Sequence, residues 1–548
     1  MKTRRLTLEQ LKHEAEVTLH LLNDSVFDHF DAVFLDRLDD ARYKFDSLAS
    51  ISIPSFFSET TGTNSTLSYA WKLYTILAQG LRDRVRLIHL SLPPTSSRPV
   101  EARSKKVNAT PLAGQITLGI LLDAAHNNRL VDHGPAAGHK EGASYRDFWG
   151  SKAELRRFKD GSILESVLWT TKDSKLSIHN QIIQYLVGKF FGKDIGEAIE
   201  FVGEEFANML DGGKTSAAFQ PAMTAFDNLI KELRDLEGLP LAIRQVAAAA
   251  PGLRYATVEV PLGSPGQLME PVDVVVQFES SGRWPDDLVA IQKTKIAFLL
   301  KMSSLLEKTP GAVSRIGLEN VSRPTMNSAV LELIYKSGPA FRIRIYHDRE
   351  QTLLERQLLN KDLPGRKRDE ITLALSEHRR RFIIGPLHTQ EVQKLSHRFP
   401  ALSPSIRLVK QWFRTHLLSG KVSDELMELL TIRSFVSTPS PPSSVMAGFL
   451  QTLRFISVWD WRTEPAVIGP VGKSALENFE AVRKADPGMN RIAMVAFSEY
   501  DTSGTTWTEL GPKKVVAARI TALARSAITA NIKVCFQTTA GRTRFLTK

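Results

Sequence analysis

The run Val272-Asp273-Val274-Val275-Val276-Gln277-Phe278 constrains the fold of this chain more than any other stretch. Valine fits a pleated, half-buried surface, so the segment reads as a core strand carrying a single carboxylate. A helix follows Trp284-Pro285-Asp286-Asp287 and extends to about Glu307, because Pro285 and the two carboxylates suit a first helical turn. Residues 329–335 and 341–346 read as a hairpin across Ser337-Gly338-Pro339. Strand, helix and hairpin in this order specify an α/β unit. Residues 239–246 and 255–260 precede it as further segments of an alternating pattern, and a charged helix over 370–381 follows.

At 548 residues the chain exceeds one core, so about three or four domains are expected. Leu8, Leu11, Ala15, Leu19 and Leu22 recur at helical spacing, and a second amphipathic stretch covers 26–42. Little chain precedes them, so the start reads as the trailing edge of a domain. An α+β unit comes next, with a helix over 69–81, strands over 85–92 and 163–170, and an apolar segment over 116–122. A Pro/Ser/Thr loop over 93–111 interrupts it, and residues 178–210 are helical by period up to Asp211-Gly212-Gly213. After Gly385-Pro386 the pattern is chiefly helical over 405–418, 423–434 and 446–459, with strands expected at 492–497 and 533–537.

Lys and Arg number 71 against 59 Asp and Glu, a net charge of +12 that favours a polyanionic partner. The lone Cys535 excludes an internal disulfide and a cysteine-based zinc site. No apolar run approaches the ~20 residues of a membrane span, and Met1-Lys2-Thr3-Arg4-Arg5 does not open an apolar signal core, so no membrane partner is expected.

Asp273 is the sharpest test for chemistry. Nucleotidyltransferases of the polymerase-beta type hold a triphosphate with a Gly-Ser at a helix start. They place two carboxylates two residues apart on one strand, facing the same way, to hold two magnesium ions. Gly263-Ser264 precedes Asp273, but Pro265 and Gly266 give it the character of a turn. The second carboxylate position is Val275, and the next acidic residue on that face, Glu279, lies ~20 Å along the strand. Phe341-Arg342-Ile343-Arg344-Ile345-Tyr346, the neighbouring-strand candidate, offers arginines such as Arg344 where a third carboxylate is needed. Asp273, Val275 and Arg344 are therefore read as degenerate active-site positions of a non-enzyme, with no metal and no cofactor expected. The competing reading is an active, template-independent RNA nucleotidyltransferase that uses Asp273.

Asp211-Gly212-Gly213-Lys214-Thr215 resembles the end of a phosphate loop but has Asn208 where a glycine is required. His126, His133 and His139 lack metal-ligand spacing. Four basic clusters could neutralise RNA phosphates: Arg103/Lys105/Lys106, Arg156/Arg157/Lys159, Arg366/Lys367/Arg368 and Arg379/Arg380/Arg381. The second and third are the candidate RNA- or partner-binding residues; the fourth, on an Arg/Glu-rich helix, reads as solvated. Trp412, Trp459 and Trp461 accompany helical apolar residues and read as core.

Several stretches carry a family resemblance. The longest is Phe148-Trp149-Gly150-Ser151-Lys152-Ala153-Glu154-Leu155-Arg156-Arg157-Phe158-Lys159-Asp160-Gly161-Ser162-Ile163-Leu164-Glu165-Ser166-Val167-Leu168-Trp169. Others are Leu239-Pro240-Leu241-Ala242-Ile243-Arg244 with Pro251-Gly252-Leu253-Arg254-Tyr255, and 273–284 with Ala290-Ile291-Gln292-Lys293-Thr294-Lys295-Ile296-Ala297-Phe298. Arg407-Leu408-Val409-Lys410-Gln411-Trp412-Phe413, Leu417-Leu418-Ser419-Gly420 and Trp459-Asp460-Trp461-Arg462 complete the set. Together they resemble the Nrap family of nucleolar RNA-associated proteins.

The resemblance implies an α+β multidomain chain. An α+β tail domain similar to that of archaeal CCA-adding enzymes precedes a degenerate nucleotidyltransferase-like α/β domain, and a helical poly(A)-polymerase-like domain follows. It assigns 1–46 to the end of a first helical domain, 47–195 to the tail-like domain, 196–388 to the transferase-like domain and 389–548 to the second helical domain. A preceding transferase-like domain and a final tail are expected to be missing. The implied role is a non-catalytic scaffold in the UTP-C subcomplex of the small-subunit processome, in the nucleolus of the nucleus. Pre-ribosomal RNA, small nucleolar ribonucleoprotein and processome proteins are its implied partners. It would serve rRNA maturation, with a link to tRNA export.

Overall fold

The computed structural model describes residues 2–23, 42–53, 63–92, 115–170, 176–210, 216–259, 270–309, 311–319, 329–469 and 472–534. Two compact units emerge. One comprises Met1–Ala207, Pro439–Gln451 and Ala530–Lys548; the other comprises Asn208–Thr438 and Thr452–Thr529. No described helix is long and apolar enough to cross a membrane.

The first unit holds β1 (Ser47–Ser52), β2 (Val85–Ser91), β3 (Gln115–Leu122), β4 (Val131–Ala136), β5 (Ala153–Arg157), β6 (Ile163–Leu168) and β7 (Glu200–Val202). They form two antiparallel sheets, ordered β2-β3-β1-β7 and β4-β6-β5. Helices Thr63–Leu81 and Ile178–Phe191 bury Leu73, Leu77, Ile182 and Leu186 in a core shared with Trp149 and Trp169. The helices approach closely: a Cβ on Gly80 would lie 2.2 Å from a Leu186 methyl. The expected helix over 178–210 is interrupted. Gly192, at φ +127°, ends it after Phe191, and Glu200-Phe201-Val202 leaves to pair with β1. The sheet thus extends past residue 195.

The second unit contains a five-stranded mixed sheet of β8 (Ile243–Ala248), β9 (Val272–Phe278), β10 (Ala312–Leu318), β11 (Ala329–Tyr335) and β12 (Ala340–Tyr346). Its order is β10-β11-β12-β9-β8, and only the β12–β9 pairing is parallel. Val274, Val276 and Phe278 point into the core with Ile291, Leu299 and Met302 of the helix Leu288–Leu306. Asp287 caps that helix, its carboxylate accepting from the Ala290 amide at 2.8 Å. Asp273, Val275 and Gln277 therefore face the opposite side of the sheet.

A nearly continuous helical run follows: Gly365–Arg379, a π-helical turn Arg380–Ile384, and Gly385–Arg398. Leu402–Thr415, Asp424–Val436, Gly472–Ala485 and Lys514–Val534 are further helices. The strand expected at 492–497 reduces to Ala496–Phe497. Lys533 and Val534 end a helix instead of opening a strand, because Ala517, Ile520, Ala524 and Ile528 are buried at helical spacing. Residues 255–259 form no strand; Pro251–Arg254 is a 3-10 turn closed by Tyr255 at φ +61°. Gln220–Arg234, β10 and Asp348–Leu358 are elements the sequence reading did not anticipate.

Candidate active-site cleft

A cleft of ≈ 350 Å³ opens on the outward face of β9 and β12, lined by Asp273, Val275, Arg344, Arg381, Lys421 and Trp507 among others. Parallel register sets Asp273 beside Arg342 and Val275 beside Arg344. Arg344, only 6% exposed, donates through Nη1 to Asp273 and through Nη2 to both oxygens of Glu319, at 2.8 and 3.1 Å. Arg381 donates to Glu319 at 3.4 Å and pairs with Glu377 at 2.9 Å, and Arg380 also pairs with Glu377. Burial pushes the Glu319 carboxyl up, but Arg344, Arg381 and Arg342 outweigh it and hold it below the usual range. Burial, reinforced by Arg344, lowers the Arg381 guanidinium.

This arrangement does not fit two divalent cations. Val275 supplies no oxygen, and the carboxylate of Asp273 is already engaged by a permanently charged guanidinium. Among the described residues no three His, Cys, Asp or Glu are grouped to hold a metal ion. Gly263 and Ser264 lie outside the described residues, as do Arg103, Lys105, Lys106, 211–215 and Cys535.

The Arg379–Arg381 cluster is not the solvated face the sequence reading expected. The π-helical turn brings Arg380 and Arg381 to the cleft, while Arg379 pairs with Glu355 at 2.7 Å. Gly385 permits that turn: a Cβ there would lie 2.9 Å from the Arg380 carbonyl oxygen. Arg366, Lys367 and Arg368 are exposed at the start of Gly365–Arg379, where Arg368 donates to the Asn360 carbonyl at 3.1 Å. Arg156 pairs with Glu154 on β5, and Arg157 and Lys159 are exposed beside it.

Beneath the cleft lies a buried charge cluster that the sequence reading missed. The carboxylate of Glu428 accepts from Arg254 Nε at 2.7 Å, Arg254 Nη2 at 3.0 Å and Lys410 Nζ at 2.6 Å, and contacts His388 Nε2 at 2.7 Å. Glu428 and His388 are fully buried; Tyr500 holds the other His388 nitrogen at 2.6 Å. Arg254 also reaches Glu425, which lines the cleft, and Lys410 reaches Asp424. Two motif segments, around Arg254 and around Lys410, thus meet on one carboxylate. Arg407, from the second, donates to the carbonyls of Thr257 and Val258. The turn at Leu417, φ +57°, leads into Gly420-Lys421-Val422-Ser423 on the cleft wall.

Other motif residues are also internal. Lys295 donates to the Ile345 carbonyl at 2.6 Å and pairs with Glu350 in the core. Trp149 packs against Trp169, their ring centres 5.8 Å apart, and the Trp169 indole donates to Asp132 at 2.8 Å. Trp412, Trp459 and Trp461 are buried.

Three successive domain families of one protein match this chain: Nrap protein domain 3 over residues 41–192, Nrap protein nucleotidyltransferase domain 4 over 205–397, and Nrap protein PAP/OAS1-like domain 5 over 399–541. The chain is 32% identical over 560 residues to U3 small nucleolar RNA-associated protein 22 of Schizosaccharomyces pombe, covering 97% of this chain and 50% of that relative. It is 28% identical over 574 residues to Nucleolar protein 6 of Homo sapiens, covering 95% of this chain and 48% of that relative. The chain therefore spans about half the length of the curated relatives it matches. Among solved structures, one of Cid1 poly (U) polymerase covers 62% of this chain and 94% of its own at 12% identity, with a TM-score of 0.34. The fold class of this chain is α+β, with nucleotidyltransferase-like and PAP/OAS1-like domains in succession. By those three consecutive matches the chain belongs to the Nrap family.

Proposed function

We propose that this chain is part of a non-catalytic scaffold for small-subunit ribosome biogenesis in the nucleolus, built on a transferase fold whose cleft is neutralised from within. The relatives' names, a U3 small nucleolar RNA-associated protein and a nucleolar protein, support the setting. One observation carries the non-catalytic part: Arg344 bridges Asp273 and Glu319 where a transferase would hold metal ions. A fixed internal cation satisfies those carboxylates without a substrate and leaves no position for a metal-activated attack.

The proposed partners are pre-ribosomal RNA, small nucleolar ribonucleoprotein, and the proteins of the UTP-C subcomplex and small-subunit processome. Arg156, Arg157, Lys159, Arg366, Lys367 and Arg368 are the proposed contacts, and the net charge of +12 supports a polyanionic partner. Domain limits at 1–46, 47–195, 196–388 and 389–548, and a link to tRNA export, belong to the same proposal.

Two measurements test it. The protein is expected to co-sediment with early small-subunit precursors, and Arg156→Glu with Arg157→Glu to weaken that incorporation without lowering the melting temperature. Incubated with labelled nucleotides, an RNA primer and magnesium or manganese, it is expected to extend nothing. Extension abolished by Asp273→Ala would replace the scaffold reading with the transferase one.

A further inference from the structure

The sheet β4-β6-β5 presents two chemically different faces. Its register pairs Asp132 and Ala153 with Val167, and pairs His133 and Glu154 with Ser166. Successive rows face opposite sides. The first side meets the helix Gly142–Trp149: Glu165 takes the guanidinium of Arg146, and Val167 is fully buried near Trp149. His133, Glu154 and Arg156 therefore project from the other side. Phe158, two residues beyond Arg156, continues that alternation, and its ring lies 4.5 Å from that of His133.

Because β6 separates β4 from the edge strand β5, this aromatic pair spans the outer face. Arg156, paired with Glu154, flanks it, and Lys159 stands exposed in the turn that Gly161 closes at φ +85°. Of the exposed large hydrophobics on β5 and β6, Leu155 and Ile163 sit in the inner rows and Leu168 in the outer.

Resting on the RNA reading above, we propose that this outer face is a platform for single-stranded RNA. A base stacks on the Phe158–His133 pair, and Arg156 and Lys159 hold the adjoining phosphates. Open sheet faces with an aromatic centre and basic margins take unpaired bases, whose faces a duplex keeps stacked. Arg157 faces the reverse of the edge strand and lies outside this platform.

Fluorescence anisotropy of the full chain tests this with a labelled short uridine-rich strand and an RNA duplex of equal length, each at several salt concentrations. Phe158→Leu keeps apolar bulk without a ring and is expected to weaken single-strand binding about tenfold, with duplex binding unchanged. Phe158→Tyr should bind as the parent does, and His133→Gln should repeat the loss if Phe158→Leu lowers the melting temperature. Arg156→Gln with Lys159→Gln should reduce the salt dependence by about two counterions. Unchanged binding by both Phe158→Leu and His133→Gln, in a parent that binds RNA, overturns the platform and leaves the RNA reading standing. Equal loss on strand and duplex overturns it too, as does a photo-crosslinker at position 158 that captures protein in precursor particles. A parent that binds neither RNA at low salt defeats both readings.

Discussion

Replacing Arg344 by methionine keeps the aliphatic stem and deletes the cation shared by Asp273 and Glu319. Both carboxylates are partly solvated, 41% and 30% exposed, so the loss falls between the ~0.2–1 kcal/mol of an exposed pair and the ~3–5 kcal/mol of a broken buried one. About 1–1.5 kcal/mol for each carboxylate gives a destabilisation of about 2–3 kcal/mol. At roughly 2–4 °C per kcal/mol for a unit of this size, the melting temperature should fall by about 4–12 °C. The vacated space, flanked by two carboxylates, should then accept a divalent ion. With a dissociation constant on the order of 0.5 mM, about 5 mM manganese would return about 1.4 kcal/mol. Differential scanning fluorimetry of the full chain, with and without manganese, reads both effects. The reasoning is contradicted if Arg344→Met melts with the parent, or if manganese stabilises the parent as much as the variant.

Three further outcomes follow from the buried charges. Glu428→Gln preserves shape but leaves Arg254 and Lys410 with only the more exposed Glu425 and Asp424, so urea unfolding should show a loss of about 3 kcal/mol. Lys295→Met should destabilise by a similar ~3 kcal/mol, and adding Glu350→Leu should recover most of it, since the pair is then replaced by apolar contacts; an additive double variant would refute the coupling. Burial lowers the pKa of His179 to about 4, against 6.5 when unfolded. The unfolded chain therefore binds more protons between those values, and stability is lost as pH falls below about 6.5, by about 2 kcal/mol at pH 5. Denaturation of His179→Leu at pH 7 and pH 5 should show that acid-side loss removed.

Local pattern predicted much of the secondary structure because burial and periodicity agree there. Val272–Phe278 and the hairpin β11–β12 lie as their alternation indicates, and Asp287 marks the helix start as its position suggests. Local pattern misleads where glycine punctuates a helical period, at Gly192, and at Lys533, where a β-branched end conceals a helix. Gln220–Arg234 carries its signal in Phe226, Leu229 and Leu233 at helical spacing. Glu319 as the second partner of Arg344 was not readable: it follows an edge strand 25 residues earlier, and only sheet closure brings them together. The Glu428 cluster was hidden for the same reason, with contributors 174 and 40 residues apart from it in sequence.

By itself, the sequence determined that this chain carries Nrap-type segments and that a valine stands at position 275 and an arginine at position 344. Residue identity is local, and no packing can give Val275 a carboxylate. Which charges neutralise one another was decided only by the tertiary structure. Coulomb energy depends on distances of a few ångströms, and those distances are set where β9, β12 and the π-helical turn converge on Asp273, Glu319 and Arg344.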